Sequence, residues 1–116
     1  MKSRKERRLK RALRIRFRFA KTLPRLTVFK SSKHIYAQLI GIDKKVISQV
    51  STLSKEFREA NIYTGNVKAA ELVGKMIAEK AKQLSVSHAC FDRSGFKYHG
   101  RIKHLADAAR LHGLII

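Results

Sequence analysis

Tryptophan is absent, cysteine and proline occur once each, and only eight acids stand against 27 lysines and arginines. Each scarcity excludes something. The single cysteine, Cys90, rules out an intramolecular disulfide, and its setting Ala89-Cys90-Phe91 points to a buried, inert thiol. No apolar run approaches the roughly 18 residues that a bilayer-crossing helix needs. The N-terminal residues lack the uncharged core of a secretory signal, so a cytosolic protein is expected. The acids that follow the N-terminal arm, Asp43, Glu56, Glu59, Glu71, Glu79, Asp92 and Asp107, are too few and scattered for a two-metal nuclease site. His88, His99 and His104, with one cysteine, match no zinc spacing. Asp92, Ser94 and His99 are the residue types of a hydrolase triad, but they crowd one short loop without a strained nucleophile turn. No enzymatic activity, metal, cofactor or small-molecule substrate is expected.

What the chain does have is positive charge. A net +19 on 116 residues implies a strongly anionic partner: nucleic acid first, an acidic membrane surface or protein behind it. Residues 1–25 hold twelve basic side chains, Lys2, Arg4, Lys5, Arg7, Arg8, Lys10, Arg11, Arg14, Arg16, Arg18, Lys21 and Arg25, against Glu6 alone. Leu9, Leu13 and Arg16 keep a helical period while Ile15, Phe17 and Phe19 alternate with arginines, so no single pattern holds. Self-repulsion predicts a basic arm over residues 1–24 that is partly disordered when free and contributes counterion release on binding. Basic residues on every side of any helix drawn through it argue against a membrane-surface helix.

Residues 25–116 read as one globular domain. Leu26 and Val28 alternate with Thr27 and Phe29 in a first strand. Lys30-Ser31-Ser32-Lys33 makes a polar connection, and Ile35, Ala37 and Leu39 point inward from a second strand with Tyr36 and Gln38 outward. Gly41 to Lys45 turns into a third strand, Val46–Thr52, of uncertain register. Ser54–Thr64 reads as a loop with a helical turn. Asn66 caps the strongest helix, in which Lys68, Glu71, Lys75, Glu79 and Lys82 form a solvated stripe. Its opposite, buried face carries Ala69, Ala70, Leu72, Val73, Met76, Ile77, Ala81 and Leu84. Val86–Phe91 is expected as a short buried strand, parallel to its predecessor because a helix connects them. From Arg101, Ile102, Leu105, Ala106 and Ala109 line one face of a last helix that Gly113 ends, and the tail Leu114-Ile115-Ile116 should dock. The expected fold is α+β: a βββαβα domain with a mixed sheet and two packed helices, preceded by the arm.

Two places suit a polyanion. Gly95 and Gly100 bracket Phe96, Lys97, Tyr98 and His99 directly before a helix whose first turn carries Arg101, Lys103 and His104. The helix dipole disfavours cations there by about 0.3–1 kcal/mol each, and a phosphate on the first-turn N–H groups would reverse that sign. Phe29 and Tyr36 share the polar sheet face beside Lys30, Lys33 and His34. They can stack on unpaired bases or pack beneath the arm or a loop.

The stretches R-L-T-V-F-K-S-S-K-H-I-Y-A-Q, S-T-L-S-K-E-F-R, G-N-V-K-A-A-E-L-V-G and F-D-R-S-G-F-K-Y-H-G-R-I-K-H-L-A-D-A-A-R, behind a basic arm, resemble the bacterial-type large-subunit ribosomal protein eighteen family. The resemblance implies an rRNA-binding protein without catalysis, which ties 5S rRNA to 23S rRNA in the central protuberance of the large subunit of the cytoplasmic ribosome. It also implies neighbours that bind 5S rRNA, ribosomal protein five of the large subunit among them. Carried over by motif, the RNA contacts are the arm, the turn Lys30, Ser31, Ser32, Lys33 and His34 with Tyr36 and Gln38, and Arg93, Phe96, Lys97, Tyr98, His99, Gly100, Arg101 and Lys103. Two places depart from the family pattern: Ser94 stands where a second glycine is frequent, and the Gly41–Lys45 turn is short. An architectural DNA- or RNA-binding protein outside the ribosome is the alternative that charge and aromatics alone leave open, and dependence on the 2′-OH separates RNA from DNA.

Overall fold

In the computed structural model, which describes residues 3–16, 22–59 and 65–116, a four-stranded mixed sheet of order β3-β2-β1-β4 carries the domain. Strand β1 (Arg25–Lys30) pairs antiparallel with β2 (Ile35–Ile40), with Phe29 opposite Tyr36 and Lys30 opposite Ile35. Leu26, Val28, Ile35, Ala37 and Leu39 are fully buried, as their alternation predicts. Strand β3 (Val46–Ser51) is the antiparallel edge, and a bulge against Leu39/Ile40 leaves Ile47 without an opposite residue. That extra residue breaks the pleat, so Val46 and Ile47 are both exposed and Val50 alone reaches the core from this strand. The preceding turn closes between the Gly41 N–H and the Lys45 carbonyl at 2.8 Å, with Lys44 at φ 66°.

After α2 (Lys55–Glu59), which seats Phe57 in the core, α3 (Val67–Gln83) begins where Asn66 Oδ1 accepts the Ala69 N–H at 3.0 Å. Its buried face is Ala69, Ala70, Val73, Gly74, Ile77, Ala78 and Ala81. Leu84, expected inside, is exposed because it sits at the helix C-cap, where the chain turns away. Helix α3 packs on β2 and β3, and α4 (Gly100–Leu111) packs on α3 through Ile102, Leu105, Ala106 and Ala109. The two helices approach so closely that a Cβ on Gly74 would collide with the Leu105 carbonyl. Gly113, at φ +101°, turns the chain after α4; Leu114 is buried, and Ile115 bonds both Ser87 and Ala89.

The buried strand expected over Val86–Phe91 is shorter and later: β4 spans Cys90–Asp92, parallel to β1. The docked C-terminal tail takes up Ser87 and Ala89 instead. Cys90 is half-buried, not enclosed, because β4 is the open edge of the sheet, and Ala89 is the buried neighbour.

In the N-terminal arm, residues Arg4–Arg16 form helix α1. Ser3 Oγ accepts the Glu6 N–H at 3.1 Å, half of an S-x-x-E capping box. Ala12 is its one buried side chain. The arm residues Lys2, Phe17, Arg18, Phe19 and Lys21 lie outside the described residues.

Candidate nucleic-acid interface

Helix α1 is held to the segment after β4 by polar contacts. Arg8 Nη1 donates to the Ser94 carbonyl at 2.7 Å and Arg11 Nε to the Gly95 carbonyl at 3.1 Å. Near the other end of the helix, Arg16 Nε donates to Asp92 Oδ2 at 2.8 Å. The same oxygen accepts the Thr27 hydroxyl at 3.3 Å and lies 3.6 Å from Arg25 Nε, while Oδ1 accepts the Ser94 N–H at 3.0 Å. Asp92 is 1% exposed, and a buried carboxylate is tolerable only when paired and hydrogen-bonded in this way. Its bond to the Ser94 N–H accompanies a tight turn in which Ser94 (φ 55°) and Gly95 (φ +79°) both adopt the left-handed region. The backbone of Arg8 comes so near that a Cβ on Gly95 would strike its carbonyl.

Above this turn the aromatics cluster. Phe29 lies 5.9 Å from Tyr36 and 5.6 Å from Phe96 between ring centroids. The Arg8 guanidinium sits 4.5 Å from the Phe96 centroid and 5.3 Å from that of Phe29, and Lys30 Nζ is 5.6 Å from Phe96. Cation–π contacts of this kind contribute about 0.5–1 kcal/mol at exposed sites. Phe29 packs against the Arg8 guanidinium from the arm while the residue stays 42% exposed. Beside the cluster is an open cleft of about 440 Å³ between α1 and the loop, lined by basic side chains from both together with Phe96 and Gly100.

The loop-to-helix junction is tied down as well. Arg101 Nη2 donates to the Ser31 carbonyl at 2.7 Å and Nη1 to the His34 carbonyl at 3.3 Å, so the β1–β2 turn absorbs the charge that would sit badly on the dipole of α4. His34 Nδ1 in turn lies 3.0 Å from Thr52 Oγ1. Tyr98 stands edge-on to Phe91, and its hydroxyl accepts from Arg110 Nη1 at 2.6 Å. His99 is the N-cap of α4 and makes no side-chain capping bond. His104 pairs across to Glu71 at 2.9 Å.

These features belong to a chain with close relatives. The family profile described as ribosomal L18 of archaea, bacteria, mitochondria and chloroplast matches residues 2–116. The chain belongs to the ribosomal L18 family. It is 53% identical over 116 residues to the large ribosomal subunit protein uL18 of Pseudomonas entomophila, covering 98% of each chain. The uL18 proteins of Dichelobacter nodosus, at 50%, and Azotobacter vinelandii, at 53%, match over the same share. Among the described residues there is no group of His, Cys, Asp or Glu that could hold a metal ion, and no helix is long and apolar enough to cross a membrane.

Set in this L18 chain, the residues expected to meet RNA fall into two kinds. Arg4, Lys5, Arg14, Ser32, Lys97, His99 and Lys103 present exposed side chains, as do Arg7, Lys10 and Lys33, which also interact within the protein, whereas Arg8, Arg11, Arg16, Arg25 and Arg101 are tied to carbonyls or to Asp92. Tyr36 and Gln38 are half-buried on the outward sheet face, and Gln38 donates to Gln49 at 3.3 Å. Sequence reasoning did not single out Asp92 as the anchor or Gly95 as the point of closest approach to α1. A signal for Asp92 was present: it is a lone acid at the mouth of a basic, glycine-bounded loop in a chain with so few acids.

Proposed function

We propose that this chain is a structural constituent of the large ribosomal subunit that binds 5S rRNA and helps attach it to 23S rRNA in the central protuberance of the cytoplasmic ribosome. It acts by binding and performs no chemistry. The observation that carries the reading is the basic cleft that α1 shares with Lys30 and the Phe96–Gly100 loop, in a chain of this family. Exposed cations such as Lys5, Lys10, Lys97 and Lys103 meet phosphates and fix register. Tyr36 and Tyr98, the latter 38% exposed, offer aromatic surface to unstacked bases. Neighbouring large-subunit proteins that also bind 5S rRNA, ribosomal protein five among them, complete the surroundings.

The test is capture from total cell RNA. The protein is expected to enrich 5S rRNA over transfer RNA of similar charge, and to prefer it to a DNA version of the same helices. Capture in proportion to RNA abundance contradicts the assignment.

A further inference from the structure

We infer that Thr52 is a positioning residue for RNA recognition: its buried hydroxyl holds His34 as the Nε2–H tautomer, so that the ring offers one uncharged donor to an acceptor on an unpaired base or a ribose 2′-hydroxyl. The inference rests on the RNA-binding reading and deepens it. Thr52 directly follows β3 and is 1% exposed, so its hydroxyl must find its partners inside the protein. Three groups surround Oγ1. The Ile35 N–H donates to it at 3.1 Å, His34 Nδ1 lies at 3.0 Å, and the Ile35 carbonyl lies at 3.5 Å. A hydroxyl has one proton to give. The Ile35 carbonyl already accepts the Thr52 N–H at 3.1 Å, so the hydroxyl proton goes to the nearer ring nitrogen. Nδ1 is then the acceptor, and in a neutral imidazole the hydrogen sits on Nε2.

The backbone that carries the ring is fixed from the other side. The His34 carbonyl accepts the Ser31 N–H at 2.9 Å and Arg101 Nη1 at 3.3 Å, and the next residue, Ile35, is fully buried. With main chain and Nδ1 both held, the half-buried ring keeps Nε2–H as its outward donor, beside the exposed Ser32 and Lys33. Lysine and arginine meet phosphates and release counterions, whereas a neutral N–H reads the position of one acceptor and releases none. Its loss therefore costs affinity and selectivity without changing the salt dependence.

The experiment has two arms on the full chain. Nitrogen-15 NMR of the histidine rings at about pH 8, without RNA, separates the two neutral tautomers from each other. His34 is expected as Nε2–H in the unaltered protein and in Thr52→Ser, and as a mixture in Thr52→Val. An Nδ1–H ring in the unaltered protein overturns the inference, and this readout stands even where Thr52→Val fails to fold. The second arm measures binding to 5S rRNA and to an unrelated RNA duplex across a salt series. His34→Ala should weaken 5S rRNA about tenfold and Thr52→Val about threefold, the span of one hydrogen bond, with the duplex less affected and the slope of log K against log salt unchanged. Thr52→Ser should bind as the unaltered protein does. Because Thr52 acts through His34, the double variant His34→Ala with Thr52→Val should lose no more than His34→Ala alone. Additive loss, about thirtyfold, makes Thr52 a support of the turn only and overturns the inference. Equal loss on both RNAs with a shallower slope makes His34 a phosphate contact and overturns it as well. The two readings fail separately. The ring spectrum reports the Thr52 clamp whether or not 5S rRNA is preferred, and intact 5S preference in His34→Ala removes this inference alone.

Discussion

The α3–α4 pair and the α1–loop pair are both a helix closely packed on a neighbour through a glycine, yet they are made of different forces. Gly74 lets α3 meet the Leu105 carbonyl within an apolar layer of Ala70, Val73, Ile77, Ile102 and Ala109. Gly95 lets α1 meet its loop where the only buried apolar side chain of the helix is Ala12, and arginine-to-carbonyl and arginine-to-carboxylate bonds join it together with the Arg8 cation–π contacts. Burial of apolar area is non-directional and tolerant of salt, whereas partly exposed polar contacts are directional and weakened by it. The first interface is held by apolar burial, and the second by polar contacts among cationic side chains.

The widest separation of the two should come from deleting residues 1–21. RNA affinity is expected to fall by more than about a hundredfold at low salt, with a shallower salt slope, because most of the arm's cations are lost. The remaining domain should still unfold cooperatively in a thermal or urea melt. Loss of that cooperativity would mean that α1 belongs to the core and the comparison is mistaken.

Next in size is Leu105→Ala, which opens a cavity beneath α3. It should cost about 2–5 kcal/mol in urea unfolding while leaving the salt slope of RNA binding unchanged at temperatures where the variant is folded. A changed slope would couple the two interfaces.

Asn66→Ala removes the cap that accepts the Ala69 N–H and should cost about 1 kcal/mol, again without effect on RNA. Ser94→Gly sharpens the other side. A non-glycine residue in the left-handed region is strained by about 1–2 kcal/mol, and the gain on relieving it is partly offset by the freer unfolded chain. A stabilisation of no more than about 1 kcal/mol with unaltered RNA binding is expected. Destabilisation would show that the serine side chain holds the turn.

The same contrast explains what the residues disclosed. Where burial is apolar and periodic the sequence was legible: Leu26 and Val28 against Ile35, Ala37 and Leu39, the stripe of α4, that of α3 apart from Leu84 and the half-buried Leu72 and Met76, the Asn66 cap and the Gly113 stop stand as their spacing predicts. Register in β3 was hidden because a bulge removes the alternation on which a register depends. The docking of α1 left no apolar stripe to read, only the short capping signal Ser3-x-x-Glu6, because arginines reaching carbonyls 84 and 86 residues away have no local period. For the same reason the partners of Arg101 and of Asp92 were not visible until the chain was folded.

The central claim is that RNA is met on the face built by α1 and the glycine-bounded loop, and not on the solvated stripe of α3, which is also rich in lysine. Placing a photoreactive benzoylphenylalanine at the position of Lys97 in one protein and of Lys75 in another, then irradiating each with 5S rRNA, tests it directly. The account predicts a crosslink from position 97 and none from position 75. Crosslinking from 75 with none from 97 would contradict it.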